Sequence, residues 1–196
     1  MLAAIKALFL KWFSRLRAFA MLAGAWGVLF SVITLIGFKA GFEYDDGLVY
    51  STPAFQAAGE AGVPAAPDAD YWNAVNRAYK SEHIKPLPWL TAWALKVLGF
   101  RIEVFCSRGE AGSDSLRNAW RRLADSFHFT ADENQKYELL EKGRFIFYFA
   151  PSDEGVIQAK KADVIPVRIR KNKRSVNPCL YDPGKYGERV LPLSEF

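Results

Sequence analysis

The sequence predicts a three-layer α/β sandwich with a mostly parallel sheet, preceded by a single N-terminal transmembrane helix, and three observations carry that expectation. β-rich segments at residues 38–45, 101–106, 144–149 and 164–169 alternate with helix-patterned stretches at the spacing of βαβ units. The first of these strands runs into an acidic turn, Asp45-Asp46-Gly47, and open α/β sheets keep their ligand sites beyond the carboxyl ends of their strands. Ahead of it lies a run of 21 residues, 18–38, without a charge. The chain has 196 residues, 51% of them hydrophobic, enough to bury one sizeable core.

At the N-terminus, Leu2, Ile5, Leu8, Phe9, Trp12 and Phe13 are mixed with Lys6, Lys11, Arg15 and Arg17. That composition suits a segment lying in the membrane interface or the first turns of one long helix. Residues 18–38 as a helix cover about 30 Å, the thickness of the hydrocarbon core. A buried core helix would need a soluble domain able to cover it on all sides, and the rest of the chain is too short for that. Four cations precede the run and only Lys39 follows it closely, which places the N-terminus in the cytoplasm. In a bacterium the domain then stands on the periplasmic side of the inner membrane. A cleaved signal peptide competes, with Ala23-Gly24-Ala25 as its formal site, but cutting there leaves only about eight apolar residues for the h-region and strands residues 26–38 on the product. The expected organisation is a basic cytoplasmic or interfacial segment at 1–17, a transmembrane helix at 18–38 and a domain at 39–196. The formal charge of +5 comes mostly from the N-terminal flank and is no sign of nucleic-acid binding.

With almost no linker after the span, the domain is expected to sit against the bilayer with its acidic turn facing away. Residues 57–70, rich in Ala, Gly and Pro, read as loop. Residues 71–79 are helical in pattern, and 87–99 form an apolar-periodic helix stopped by Gly99. An amphipathic helix is expected over 113–127, with Leu116, Ala119, Trp120 and Leu123 inward and Arg117, Arg121 and Arg122 outward. Arg168, Arg170, Lys171, Lys173 and Arg174 form the dense charge run of the domain, which reads as a solvated edge or a surface for anionic lipid or polymer. Cys106 and Cys179 are the only cysteines; an oxidising compartment would allow pairing, but Cys106 is expected at the end of a core strand and Cys179 in a late loop. Neither has the clustered spacing of a zinc site.

Residues 42–55, Phe-Glu-Tyr-Asp-Asp-Gly-Leu-Val-Tyr-Ser-Thr-Pro-Ala-Phe, resemble the first motif of the haloacid dehalogenase (HAD) superfamily. The likeness is to the class B acid phosphatases, whose pattern is Phe-Asp-x-Asp-Asp-Thr followed by a Ser-Ser-Pro-Gly-Phe-like segment. The last stretch, 181–196, is similar to the family's closing Gly-x-x-Gly-Glu-x-Val and terminal Ser-Glu-Tyr, an ending without catalytic meaning and so a mark of descent. Leu123 to His128, Leu-Ala-Asp-x-Phe-His, is similar to the segment before the third motif. The resemblance covers about residues 38–196 and implies a HAD-like (Rossmannoid) fold with a small cap between the first motif and the next long helix. Trp72 and Tyr79 would then line the entrance as substrate-binding residues, or merely pack the cap onto the core.

The same resemblance assigns roles. Glu43 stands where the attacking Asp is expected, and Asp45 where a second Asp protonates the leaving group and then activates water. A Glu reaches one methylene further, and misplacement by about 1 Å can cost about a hundredfold in rate. In the alternative register Asp45 attacks and Gly47 falls on the acid position. The second motif becomes Phe105-Cys106-Ser107-Arg108, with a thiol, a weak donor, on the hydroxyl position and Ser107 one residue late. Arg108 is retained, for a phosphate or to neutralise Asp114 or Glu110. Lys136 supplies the balancing cation, unless it is a surface lysine at a helix start. In the fourth motif the leading metal-binding Asp falls on Pro151 and the last on Gly155, so Mg²⁺, if any is bound, would be held by Glu43, Asp45 and Asp153. Altered motifs on an intact scaffold imply a membrane-anchored HAD-fold protein, catalytically impaired, serving as a binding or scaffold subunit of a membrane complex, with a phosphorylated small molecule as the ligand its pocket would take. The alternative is a divergent Mg-dependent phosphomonoester hydrolase.

Overall fold

A computed structural model describes residues 2–61, 68–130 and 132–196. α1 (Leu2–Ile36) is one continuous 35-residue helix, about 52 Å long, so the basic flank forms its first turns. Within it Leu10–Ile36 is long and apolar enough to cross a membrane, and the domain leaves almost all of that stretch bare. Gly37, at φ +74°, takes the left-handed conformation that ends the helix; its N–H and that of Phe38 both reach the Ile33 carbonyl. The chain passes directly into β1 (Lys39–Glu43).

An insertion follows, built from β2 (Val49–Tyr50), α2 (Thr52–Glu60), α3 (Ala69–Arg77), a 3-10 turn (Ala78–Ser81) and β3 (His83–Ile84), with β2 and β3 paired antiparallel. Ala54, Ala58 and Val75 give it a small core of its own. Then come α4 (Pro86–Val97), β4 (Arg101–Cys106), α5 (Asp114–Trp120), β5 (Ser126–Phe129), α6 (Glu133–Lys142), β6 (Phe145–Ala150), α7 (Asp153–Lys161), β7 (Ile165–Ile169) and, after a long loop, β8 (Arg189–Leu191). The sheet runs β5-β4-β1-β6-β7-β8, every pairing parallel, as the alternation of strand and helix predicts.

The pleat sorts side chains into two cores. Ala40, Phe42, Ile102, Val104 and Phe149 face Ala92 of α4 and Leu116 and Trp120 of α5, with Phe42 and Phe149 stacked at 4.2 Å between ring centroids. Phe105 and Tyr148 face the other way, onto Leu140 of α6 and Ala159 of α7. A sheet covered on both faces is why β1, β4 and β6 read as near-continuous apolar runs. β1 lies at the centre, where the chain leaves first toward β4 and later toward β6, the place at which an open α/β sheet opens a crevice at its carboxyl edge.

Three local expectations are corrected. The helix expected over 113–127 stops at Trp120, because Ser126–Phe129 pairs with β4 as an edge strand, and Ala119 is exposed rather than inward. The loop expected over 57–70 begins later, since α2 continues to Glu60; residues 62–67 lie outside the described residues. Arg168 is no part of a solvated edge: it is fully buried within β7.

Candidate functional site

Glu43 is the last residue of β1, and its buried carboxylate lies between the first turns of α6 and α7. Its Oε1 accepts hydrogen bonds from Lys136 Nζ and Tyr148 Oη, each at 3.1 Å, and its Oε2 accepts a long one from Ser152 Oγ at 3.4 Å. Lys136 comes from the first turn of α6 and also donates to Glu133 at 2.8 Å; it is buried, not a surface lysine. Burial works against the Lys136 ammonium, but the Glu43 and Glu133 carboxylates overcome it and push its pKa up to about 12. Burial also lifts the Glu43 carboxyl above its usual range, against the pull of Lys136. Gly155, in the first turn of α7, leaves room for this arm: a Cβ there would stand 2.3 Å from Glu43 Oε1.

Asp45 lies two residues on, with both oxygens taken by one guanidinium. Arg108 Nε donates to Oδ1 and Oδ2 at 3.0 and 3.2 Å, and Nη2 to Oδ1 at 2.6 Å. Cys106 Sγ contributes only a 3.5 Å contact to Oδ2. The same Nη2 donates to Glu82 Oε1 at 2.5 Å, and Tyr44 Oη donates to the other Glu82 oxygen. Glu110 pairs with Arg117 instead, so neither it nor Asp114 is what Arg108 neutralises. The turn itself is clamped from below by Lys85, whose buried Nζ donates to the carbonyls of Asp46 and Arg170; burial draws its pKa down to about 8. Asp46 sits at φ +55°, and a Cβ on Gly47 would fall 1.9 Å from the Glu43 carbonyl oxygen. No side chain could stand at position 47, so the register that places the acid/base there has no room for one.

Glu82 is the member of this cluster that the sequence does not reveal. Burial raises its carboxyl to about 7, Arg108 opposing. Between pH 4.5 and about 7 the folded chain therefore keeps a proton that the unfolded chain has released, and stability falls as pH rises through that window, then levels above it. Glu82→Gln is expected to flatten this slope, read from urea unfolding across the same pH range; an unchanged slope would remove Glu82 as its source.

Asp153 belongs to a different network. Arg168 Nη2 donates to its Oδ1 at 2.8 Å, as does the Asp182 N–H at 2.9 Å, while Arg168 also donates to Glu188 Oε1 and the Pro151 carbonyl, each at 2.9 Å. Beside Glu43 and Asp45 opens a cavity of about 240 Å³ lined also by Ser107, Glu133, Lys136 and Cys179. Asp153 does not line it, and neither do Trp72 or Tyr79. Trp72 packs on Phe55 and against the Gly109 backbone, which a Cβ on Gly109 would drive into its ring at 2.3 Å. Tyr79 lines a separate aromatic cavity with Trp89, Trp93 and Trp120. Cys106 and Cys179 are free thiols.

Comparisons with known proteins agree with this frame. A class B acid phosphatase of Salmonella arizonae is 23% identical over 177 residues, covering 80% of this chain and 72% of the relative. One of Salmonella typhimurium is 21% identical over 180 residues with the same coverage. Among solved structures, a dehalogenase superposes with a TM-score of 0.52 at 15% identity, covering 80% of this chain and 94% of that one. CbbY from Rhodobacter sphaeroides, in complex with phosphate, gives 0.52 at 13% identity, covering 79% and 93%. The chain is HAD-like and class B acid phosphatase-like. No family model matches it.

On this HAD-like frame the donor set does not fit Mg²⁺. The ion takes oxygen ligands, usually one or two carboxylates among them. Here Glu43 is engaged by Lys136, Asp45 by Arg108 and Asp153 by Arg168, and position 151 is a proline. Among the described residues no three His, Cys, Asp or Glu side chains converge as a metal centre.

Proposed function

We propose that this is a membrane-anchored HAD-fold protein, its domain on the periplasmic side, in which phosphomonoester hydrolysis is impaired and which serves as a binding or scaffold subunit of a membrane complex. One observation supports this above the rest: each carboxylate on a motif position is paired with a cation of the chain itself, Glu43 with Lys136, Asp45 with Arg108 and Asp153 with Arg168. In-line attack needs a carboxylate oxygen free to approach phosphorus at about 3–3.5 Å. Glu43 Oε1 is held by Tyr148 and Lys136, which leaves only Oε2, with its long contact to Ser152, for such an approach. Protonation of a leaving oxygen needs an Asp45 oxygen turned toward the cavity, and both accept from Arg108. The thiol of Cys106 is too weak a donor to replace a hydroxyl at a developing charge.

The purified chain is expected to hydrolyse p-nitrophenyl phosphate with added Mg²⁺ no faster than its Asp45→Asn variant. A kcat near the enzymatic median of about 10 s⁻¹, lost in that variant and on chelation, would overturn the reading. It would favour the second one, a divergent phosphomonoesterase, which draws support from Lys136 seated on Glu43 beside the 240 Å³ cavity and from the activity named for the relatives. A phosphorylated small molecule held without turnover would use Lys136 and Ser107. Calorimetric titration with nucleoside monophosphates would then give saturable binding that Lys136→Ala removes.

A further inference from the structure

The membrane-facing end of the domain carries a recess that the acidic turn does not use. The last turn of α1 meets the amino ends of three strands around a cavity of about 330 Å³, walled by Lys39, Arg101, Lys142 and Arg144 and by Leu35 and Ile36 of the helix. Strand register makes this arrangement: Lys39 of β1 lies opposite Arg101 of β4 and Phe145 of β6, so two strands begin with a cation and the third is preceded by one, Arg144, at about the same level. Two of the four cations are committed to the fold. Lys39 pairs with Glu103 at 2.7 Å, and Arg144 Nη1 donates to the Ile36 carbonyl at 2.6 Å, tying β6 to the helix end that its charge favours. The other two are free arms. Lys142 meets only Glu138, in a pair exposed on both sides and therefore weak. The Arg101 side chain has no hydrogen bond or ion pair among the described residues and is exposed.

Beside these cations Leu35 is 85% exposed, the most exposed large apolar side chain of the helix among the described residues. Bare aliphatic surface directly under a cluster of cations, at the level where the charge-free run ends, matches an amphiphile with an anionic head and hydrocarbon tails. We infer that this recess binds the phosphate headgroup of an anionic phospholipid, Arg101 and Lys142 reaching for the head while the acyl chains lie along Leu35 and Ile36. The inference rests on α1 spanning the membrane and on nothing proposed for Glu43 or Asp45. It gives the domain a fixed seat on the bilayer, acidic turn outward.

The test uses the full chain in detergent, titrated with phosphatidylglycerol or phosphatidylcholine and followed by native mass spectrometry. The wild type is expected to retain one phosphatidylglycerol about 25-fold more tightly than phosphatidylcholine, in keeping with a gain of about fivefold for each of two cations near an anionic head. Arg101→Gln/Lys142→Gln, two changes on exposed side chains, is expected to remove that preference. Equal retention of both lipids by the wild type, or a preference surviving in the double variant, overturns the inference. Displacement of the lipid by millimolar inorganic phosphate would mark a site for free anions and overturn it too. Carbonate extraction of membranes separates the two layers of the argument: a chain released by carbonate defeats the reading of α1, whereas a chain that stays in the membrane without the lipid preference defeats only the recess.

Discussion

Replacing Arg168 by leucine is expected to destabilise the domain by about 3–5 kcal/mol and to lower its melting temperature by about 10 °C. The guanidinium is fully buried and donates to Asp153, Glu188 and the Pro151 carbonyl. Leucine would take the balancing cation from two carboxylates, and a donor from a carbonyl, in a place water does not reach. The damage would spread, because Glu188 also accepts from the N–H groups of Gly184 and Tyr186 and Asp153 from that of Asp182. Those bonds fasten the closing loop onto α7 and β7. Lys173→Ala, five residues on and exposed, is the control, with an expected change within about 0.5 kcal/mol. Thermal or urea unfolding of both variants decides the matter. A loss below about 1 kcal/mol for Arg168→Leu would mean that Asp153 does not depend on it and is available for another ligand.

That network also shows where sequence reading succeeds and where it stops. The sheet is legible because the pattern of each strand is local: residues 101–106 and 164–169 announce themselves by composition, and β1 by its run into the acidic turn. The meeting of Glu43, Asp45 and Lys136 is legible too, since motif spacing places two of them on one strand end and the third on the first turn of a helix beside it. Arg168 is different. Its neighbours in sequence are basic, so it reads as one cation among several, yet it stands between Val167 and Ile169 in a strand of a sheet covered on both faces, where Arg168 and Ile169 are buried in succession. A cation held at such a position implies a carboxylate opposite it. Asp153 and Glu188 are the carboxylates that meet it.

Other features are set by tertiary structure alone. Ser126–Phe129 continues the apolar spacing of the helix before it and becomes a strand only through its register with β4. Glu82 follows a 3-10 turn with no local pattern to mark it. It reaches Arg108 because β3 folds back on β2, bringing it within bonding distance of a residue 26 positions later. The outcome is a turn locked from several sides at once, by Arg108 on Asp45, by Lys85 on the Asp46 carbonyl and by Ser175 on the Asp46 carboxylate. Such locking favours one fixed geometry over the movements that phosphoryl transfer would ask of Asp45.

Gly155→Ala is expected to destabilise the wild-type chain by about 1–3 kcal/mol or more, and by distinctly less in a Glu43→Asp background. The added Cβ would stand 2.3 Å from Glu43 Oε1 and 2.7 Å from the Ala150 Cβ, distances at which something must move. Moving Glu43 aside would disturb the bonds that Lys136, Tyr148 and Ser152 make to its carboxylate. Shortening the arm by a methylene withdraws those oxygens from the Gly155 side and leaves the contacts with Ala150 and Ser152 Oγ. Glu43 and Gly155 are then one unit in physical terms: the long carboxylate arm at the end of β1 occupies the volume that a side chain at the start of α7 would fill. Restoring an Asp at either position alone is therefore expected to give a void or a clash, not a working centre. A double-mutant cycle measured by urea unfolding reads the coupling directly, with about 1 kcal/mol or more expected between the pair. If the Gly155→Ala penalty is the same in both backgrounds, the positions are independent, and the glutamate at 43 owes nothing to the glycine beside it.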